Sequence, residues 1–226
     1  SRESDLVPAW KQMPASPQEP SLPLISELWV VIPVKPFARA KSRLASVLSP
    51  LDRALLSRSL LTHVLDAAQA APSVARVVIV SRDAEALQLA EERGLIALAE
   101  EGRGLNRALA QATRWAARRG AGALLILPTD LPLLEPDDIE ALWALALDEP
   151  TVVIAPSRRG GGTNALLVRP PGLLSYRFGP GSFGAHWAQA RALGIPLFVV
   201  RSSHLALDVD LPEDWAEMQG YAKAIS

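Results

Sequence analysis

Lys35, Arg39, Lys41 and Arg43 stand within nine residues directly after the apolar stretch Val31-Ile32-Pro33-Val34. Cations so closely spaced suit the clustered negative charge of a triphosphate, with each lysine acting as a point charge on phosphate. A solvated basic loop would look the same by charge alone; the position immediately after a buried strand favours the anion site. Asp130 is held between prolines in Leu127-Pro128-Thr129-Asp130-Leu131-Pro132, where the stiffened turn fixes a carboxylate at the end of an apolar run. Alone it would read as a turn or helix-capping residue. Asp208 and Asp210 are two residues apart, so in extended chain both carboxylates project to the same side while Val209 packs on the other. Two such groups repel unless a cation sits between them. Hard oxygen ligands without neighbouring His or Cys point to Mg²⁺, with Mn²⁺ the other metal that fits, and Asp130 joins them as the third ligand.

Two glycine-bearing segments add a different chemistry. Phe178-Gly179-Pro180-Gly181-Ser182 leads into a helix, whose first N–H groups and the Ser182 hydroxyl would make a small anion cradle. Gly160-Gly161-Gly162-Thr163-Asn164 leads into a strand, and a plain turn explains its glycines equally well. Among the histidines, His63 and His204 read as structural or solvated; His186, one turn after Ser182, either faces the same anion or packs on a helix face. Glu213 and Asp214 fall in the first turn of a helix, where acids favour the helix dipole. Gly102-Arg103-Gly104-Leu105-Asn106-Arg107 begins like a dinucleotide fingerprint, but Arg107 replaces its third glycine.

These residues need a scaffold, and the remaining sequence supplies an α/β one. Short β-branched runs alternate with helical stretches, the pattern of a sheet covered on both faces. Strands are expected at Leu28–Val34, Arg76–Ser81, Leu95–Leu98, Ala123–Leu127, Val152–Ala155, Ala165–Val168, Pro196–Val200 and Leu205–Val209. Helices are expected from Pro50, after an N-capping Ser49, to about Ala70, then at Ala84–Arg93, Leu105–Arg119, Pro136–Leu147, Ser182–Leu193 and Pro212–Gln219. Residues 1–27 carry five prolines without periodicity and read as a flexible arm; one domain follows over 28–220, and 221–226 form a tail.

The chain's 226 residues allow one sizeable core. Its 49% hydrophobic and 21% charged content excludes a disordered or fibrous protein, and no apolar run reaches the ~20 residues of a membrane span. Charge is balanced at −1, which offers no broad surface for nucleic acid or membrane. The absence of cysteine excludes a thiolate metal site and a Cys nucleophile, and agrees with a reducing cytoplasm as the expected location. Of 23 basic residues only four are lysine, and two of those, Lys35 and Lys41, stand in the basic loop.

Taken in order, Pro33-Val34-Lys35, Lys41-Ser42-Arg43-Leu44, Gly104-Leu105-Asn106, Thr129-Asp130-Leu131-Pro132, Gly162-Thr163-Asn164, Phe178-Gly179-Pro180-Gly181-Ser182 and Asp208-Val209-Asp210 resemble one family. It is the guanylyltransferases of coenzyme F-420 biosynthesis, which join GMP to 2-phospho-L-lactate or phosphoenolpyruvate. The resemblance runs from about Trp29 to Trp215. It implies a single-domain nucleotidyltransferase fold of the glycosyltransferase-A type, with a mixed, mainly parallel sheet flanked by helices. It further implies GTP contacts from Lys35, Arg39, Lys41 and Asn106, acceptor-phosphate contacts from Thr163, Gly179 and Ser182, and Mg²⁺ on Asp130, Asp208 and Asp210. Catalysis would rest on Lys35, Lys41 and Asp130. The expected reaction is GMP transfer from GTP to a small phosphorylated C3 acid, with pyrophosphate released. Two other readings stay open: a sugar-nucleotide-dependent transferase using Asp208-Val209-Asp210 as its metal motif, and a GTP-binding regulatory module without turnover.

Overall fold

A computed structural model describes residues 28–225. The expected arm at residues 1–27 lies outside them.

Seven strands form one sheet: β1 (Leu28–Val34), β2 (Val74–Ser81), β3 (Ile96–Ala99), β4 (Ala123–Ile126), β5 (Thr151–Pro156), β6 (Thr163–Arg169) and β7 (Leu197–Val199), in the order β3-β2-β1-β4-β6-β5-β7. Every neighbouring pair is parallel except those of β6, which runs antiparallel to β4 and β5. The expected α/β class with a mixed, mainly parallel sheet is therefore the observed one.

Alternation along β1 divides the core. Leu28, Val30, Ile32 and Val34 face α1 (Pro50–Ala70), α2 (Ala84–Glu92) and α4 (Pro136–Ala144), meeting Leu61, Leu65, Ala86, Ala90, Ile139 and Leu142. Trp29 and Val31 face the other way, toward Ala108, Leu109, Ala112 and Ala116 of α3 (Leu105–Ala117) and Ala190 of α5 (Ser182–Ala192). Burial on both faces explains why the strands read as continuous apolar runs. Local signals set the helix starts: Ser49 Oγ accepts from the Asp52 amide ahead of Pro50, and Asp83 caps α2 by accepting from Glu85 and Ala86.

The antiparallel sense of β6 matters most for function. It brings the start of that strand, Thr163, to the sheet edge where β1 and β4 end, beside Lys35 and Asp130. Sequence alone does not reveal strand direction.

The expected strand at Leu205–Val209 is not formed. Ser202 caps a four-residue helix, α6 (Ser203–Ala206), by accepting from the His204 and Leu205 amides, and irregular extended chain follows. Leu205, Leu207 and Val209 are buried, as their alternation indicates, but the segment finds no ladder partner and is held by scattered hydrogen bonds, among them the Val209 amide donating to the Asp130 carbonyl. At the C-terminus, α7 (Pro212–Ile225) runs on past Gln219, so the last residues described continue a helix where a tail was expected.

Candidate active site

A cavity of about 530 Å³ opens along the carboxyl edge of the sheet. Lys35, Arg39, Lys41, Asp130, Thr163, Gly179, Ser182, Asp208 and Asp210 all line it, although they derive from segments spread over most of the chain. Sheet order places them: the basic loop follows β1, Asp130 follows β4, and Thr163 opens β6, so the carboxylates lie between the cations and the hydroxyls.

The basic loop folds as two 3₁₀ turns, Phe37–Arg39 and Ser42–Leu44, pinned by burial of Phe37 and Leu44 and by the Phe37 amide, which donates to Asp83. Between them Lys41 adopts a left-handed conformation, φ 54° and ψ 35°, the one positive φ at a non-glycine among the described residues. That backbone costs a lysine about 1 kcal/mol, and it persists because the side chain is fixed at its far end. Its ammonium donates to Asp130 Oδ2 at 2.8 Å and to the Val209 carbonyl at 2.5 Å, with the side chain 7% exposed. Lys35 and Arg39 stay exposed at the cavity mouth.

The three carboxylates do not converge. Among the described residues no group of three or more His, Cys, Asp or Glu is arranged to hold a metal ion. Asp210 pairs with Arg43 at 2.6 Å, pointing to the rim, whereas Asp130 and Asp208 face one another closely enough to interact. Burial pushes the Asp208 carboxyl above the usual range, opposed by the Asn164 amide at 3.1 Å and reinforced by the charge of Asp130. Lys41 offsets one of the pair's two negative charges, and a hard divalent cation between Asp130 and Asp208 fits the oxygen donors that remain.

The segment bearing Asp208 and Asp210 is held from beneath by an array the sequence did not expose. Asp214 is fully buried; its carboxylate accepts from the Asp210 and Leu211 amides and from Arg158 and Arg159. Burial alone would raise its pKa, but the Arg159 hydrogen bond and the two amides hold it below the ordinary value. The Arg158 amide also donates to the Ala206 carbonyl, and the Asn164 side chain donates to the Leu205 and Ala206 carbonyls. A first-turn acid at a helix start is here the anchor of a loop.

At the other end Ser182 Oγ donates to Thr163 Oγ1 at 3.0 Å, and His186 Nδ1 lies 3.4 Å from the same oxygen. The Arg177 amide donates to His186 Nε2 at 2.9 Å, so Nε2 carries no proton and the neutral ring presents Nδ1–H to Thr163. Thr163, receiving two donors, turns its own hydrogen outward. His186 has no exposed surface, stacks edge-on to Phe178 at 5.0 Å, and burial lowers its pKa to about 4. Sequence left its orientation open; the ring faces the hydroxyl pair from behind and not the cavity.

Gly181 caps α5 in a left-handed conformation, φ 72°. The Ser182 amide closes a turn on the Gly179 carbonyl, so the expected cradle of free N–H groups is smaller than the spacing implied. Gly162 makes room in another way: a Cβ there would stand 2.9 Å from Ser157 Oγ and push that side chain aside in the β5–β6 turn. Asn106 departs from its expected place. Both ends of its amide are spent on Phe178, donating to the carbonyl at 3.1 Å and accepting from the amide at 2.8 Å, and it does not line the cavity. It fixes the Phe178–Ser182 loop against α3, and a direct GTP contact is not its arrangement.

The fold is that of nucleotidyltransferases. A nucleotidyl transferase from Methanothermobacter thermautotrophicus superposes with a TM-score of 0.65 at 17% identity, over 88% of this chain and 99% of its own. A putative nucleotide-diphospho-sugar transferase from Desulfovibrio desulfuricans gives 0.68 at 17% identity, over 82% and 83%. Within that class the chain belongs to the family described as guanylyl transferase CofC like, which matches residues 28–223. Phosphoenolpyruvate guanylyltransferase of Rubrobacter xylanophilus is 46% identical over 192 residues, 85% of this chain and 93% of its own length. The 2-phospho-L-lactate guanylyltransferase of Methanothermobacter thermautotrophicus is 41% identical over 189 residues, 83% and 82%. Among the described residues no helix is long and apolar enough to cross a membrane.

Proposed function

We propose that the chain transfers GMP from GTP to the phosphate of a small phosphorylated C3 acid, phosphoenolpyruvate or 2-phospho-L-lactate, releasing pyrophosphate, as a cytoplasmic step of coenzyme F-420 biosynthesis. The observation that carries this reading is one cavity lined at one end by cations after β1 and at the other by the hydroxyls of Thr163, opening β6, and Ser182, opening α5, with the carboxylates after β4 and at 208 between them. Membership of the guanylyl transferase family supplies the nucleotide and the acceptor class.

Lys35, Arg39 and Lys41 would take the triphosphate, and Thr163, its hydrogen turned outward by the Ser182 hydroxyl, would take the acceptor phosphate with Gly179. The acceptor oxygen attacks the α-phosphorus as the bond to the β-phosphate oxygen breaks, so the chain's task is to align two anions that repel. A phosphate monoester is ionised near neutral pH and needs no general base. His186 agrees with that: its Nε2 is occupied by an amide and its Nδ1 faces Thr163, so its role is to aim a hydroxyl. Mg²⁺, held by Asp130 and Asp208, would neutralise charge on the phosphates when bound. Lys41, fixed on Asp130, keeps that carboxylate aimed into the cavity. Asp210, paired with Arg43, is left at the rim.

Incubation with Mg²⁺, GTP and each candidate acceptor, with pyrophosphate as the readout, tests the proposal. Nucleoside diphosphate released without pyrophosphate would favour the sugar-nucleotide reading. Tight GTP binding with no product from any acceptor would favour the regulatory one.

A further inference from the structure

One wall of the cavity lies away from the phosphate chemistry. It is built by Glu100 after β3, Arg82 after β2, and the apolar surfaces of Val80, Leu105 and Ala108. Glu100 is at the end of an edge strand, where backbone ordinarily frays, yet it is clamped on every side. Its own amide donates to the Ser81 carbonyl at 2.8 Å. Gln111, buried in α3, grips both neighbours, donating to the Ala99 carbonyl at 2.8 Å and accepting from the Glu101 amide at 3.0 Å. The Glu100 side chain is only 8% exposed, and its one ionic partner among the described residues is Arg82, at a loose 3.3 Å to Oε1. A carboxylate carried on backbone so held, set in a largely apolar wall and short of hydrogen-bond donors, is placed to receive a ligand's.

We propose that Glu100 reads the Watson–Crick edge of the guanine base, accepting from N1–H and the 2-amino group while Val80, Leu105 and Ala108 flank the ring. The inference rests on the reading of GTP as donor. A carboxylate is acceptor-only, and guanine alone among the common bases presents two adjacent donors on that edge. Adenine and cytosine offer a ring-nitrogen lone pair there, and uracil a single N–H between carbonyls. The spacing fits: β3 and β1 are separated by β2, so Glu100 and the basic loop stand about 10 Å apart at ~4.8 Å per strand, the reach of a nucleoside between base and phosphates. The acceptor end at β6 then lies beyond the phosphates, as transfer requires.

The test needs three triphosphates and one isosteric variant. Inosine triphosphate keeps N1–H but lacks the 2-amino group; xanthosine triphosphate keeps N1–H and carries a carbonyl at C2. Wild-type protein should lose ~10–100-fold in kcat/KM with inosine triphosphate, the size expected when one hydrogen bond to a charged group is missing, and more with xanthosine triphosphate. Glu100→Gln, whose amide can accept from N1–H and donate to the C2 carbonyl, should invert the order so that xanthosine triphosphate outperforms GTP. Inversion of preference is an outcome that damage to the fold cannot produce. Wild-type rates equal with GTP and inosine triphosphate would overturn the proposal, as would a Glu100→Gln variant that keeps the wild-type ratio of GTP to xanthosine triphosphate. If wild-type protein releases no pyrophosphate from GTP with any acceptor, the function fails and not the base assignment alone. In that case equilibrium binding of the three triphosphates decides the base question by the same ratios.

Discussion

His186 should make stability fall with acid in a way that one substitution removes. Its pKa is lowered by burial from 6.5 to about 4, and its Nε2 is committed to the Arg177 amide, so the folded chain resists the proton that the unfolded chain takes up readily. Above pH 6.5 the ring is neutral in both states and contributes no pH dependence. Between 6.5 and about 4 only the unfolded state binds the proton, so stability falls as pH falls; below 4 the loss is complete. A separation of about 2.5 pH units at 1.36 kcal/mol each gives a loss of about 3 kcal/mol, an upper value because denatured chains are not wholly solvated. In His186→Gln the amide oxygen can still accept from Arg177, but nothing titrates. Urea unfolding of both proteins from pH 7.5 to 4 should therefore show the wild type losing about 3 kcal/mol more than the variant, with the difference arising below pH 6.5. Profiles that run parallel through that range would refute the buried, neutral histidine and with it the assigned direction of the Thr163 hydroxyl.

Two further perturbations address the site. Asp130→Asn and Asp208→Asn should each abolish Mg²⁺-dependent turnover while leaving the far-ultraviolet spectrum native, since neither side chain belongs to the main core; wild-type rates in either would contradict the metal assignment. Asn106→Ala removes both hydrogen bonds to Phe178 and should raise the KM for the acceptor well above that for GTP, by ~10-fold or more at about 1 kcal/mol per bond, as steady-state kinetics with each substrate varied would reveal.

The fold was legible because its periods are unmixed. Apolar runs mark the strands, and Ser49-Pro50 and Asp83 mark helix starts by the chemistry of unpaired amides. The polar residues after the strands were legible for the same reason: Lys35, Lys41 and Asp130 interrupt apolar patterning where it ends. Partnerships were not. That Lys41 reaches Asp130 across 89 residues of sequence, in a backbone conformation lysine rarely adopts, depends on β1 and β4 being neighbours. Leu205–Val209 alternates like a strand, but alternation reports only which side is buried, and Ser202 caps a short helix over its first residues while no strand pairs with the rest. Asn106 and Asp214 carry side chains that suit a ligand or a structural role equally well, and only geometry shows Asn106 spent on the Phe178 backbone and Asp214 on two amides and two arginines. Glu100 is silent in sequence because two adjacent acids, Glu100-Glu101, read as a solvated turn; its signal is the pair of Gln111 hydrogen bonds to the backbone on either side of it.

The most direct measurement of the central claim is pyrophosphate release from purified protein with Mg²⁺ and GTP, in parallel reactions with phosphoenolpyruvate, 2-phospho-L-lactate, 3-phosphoglycerate and no acceptor. The account predicts release that depends on phosphoenolpyruvate or 2-phospho-L-lactate and a product containing one GMP joined to the acceptor's phosphate. Pyrophosphate absent from all of these reactions, with GTP left intact, would contradict it.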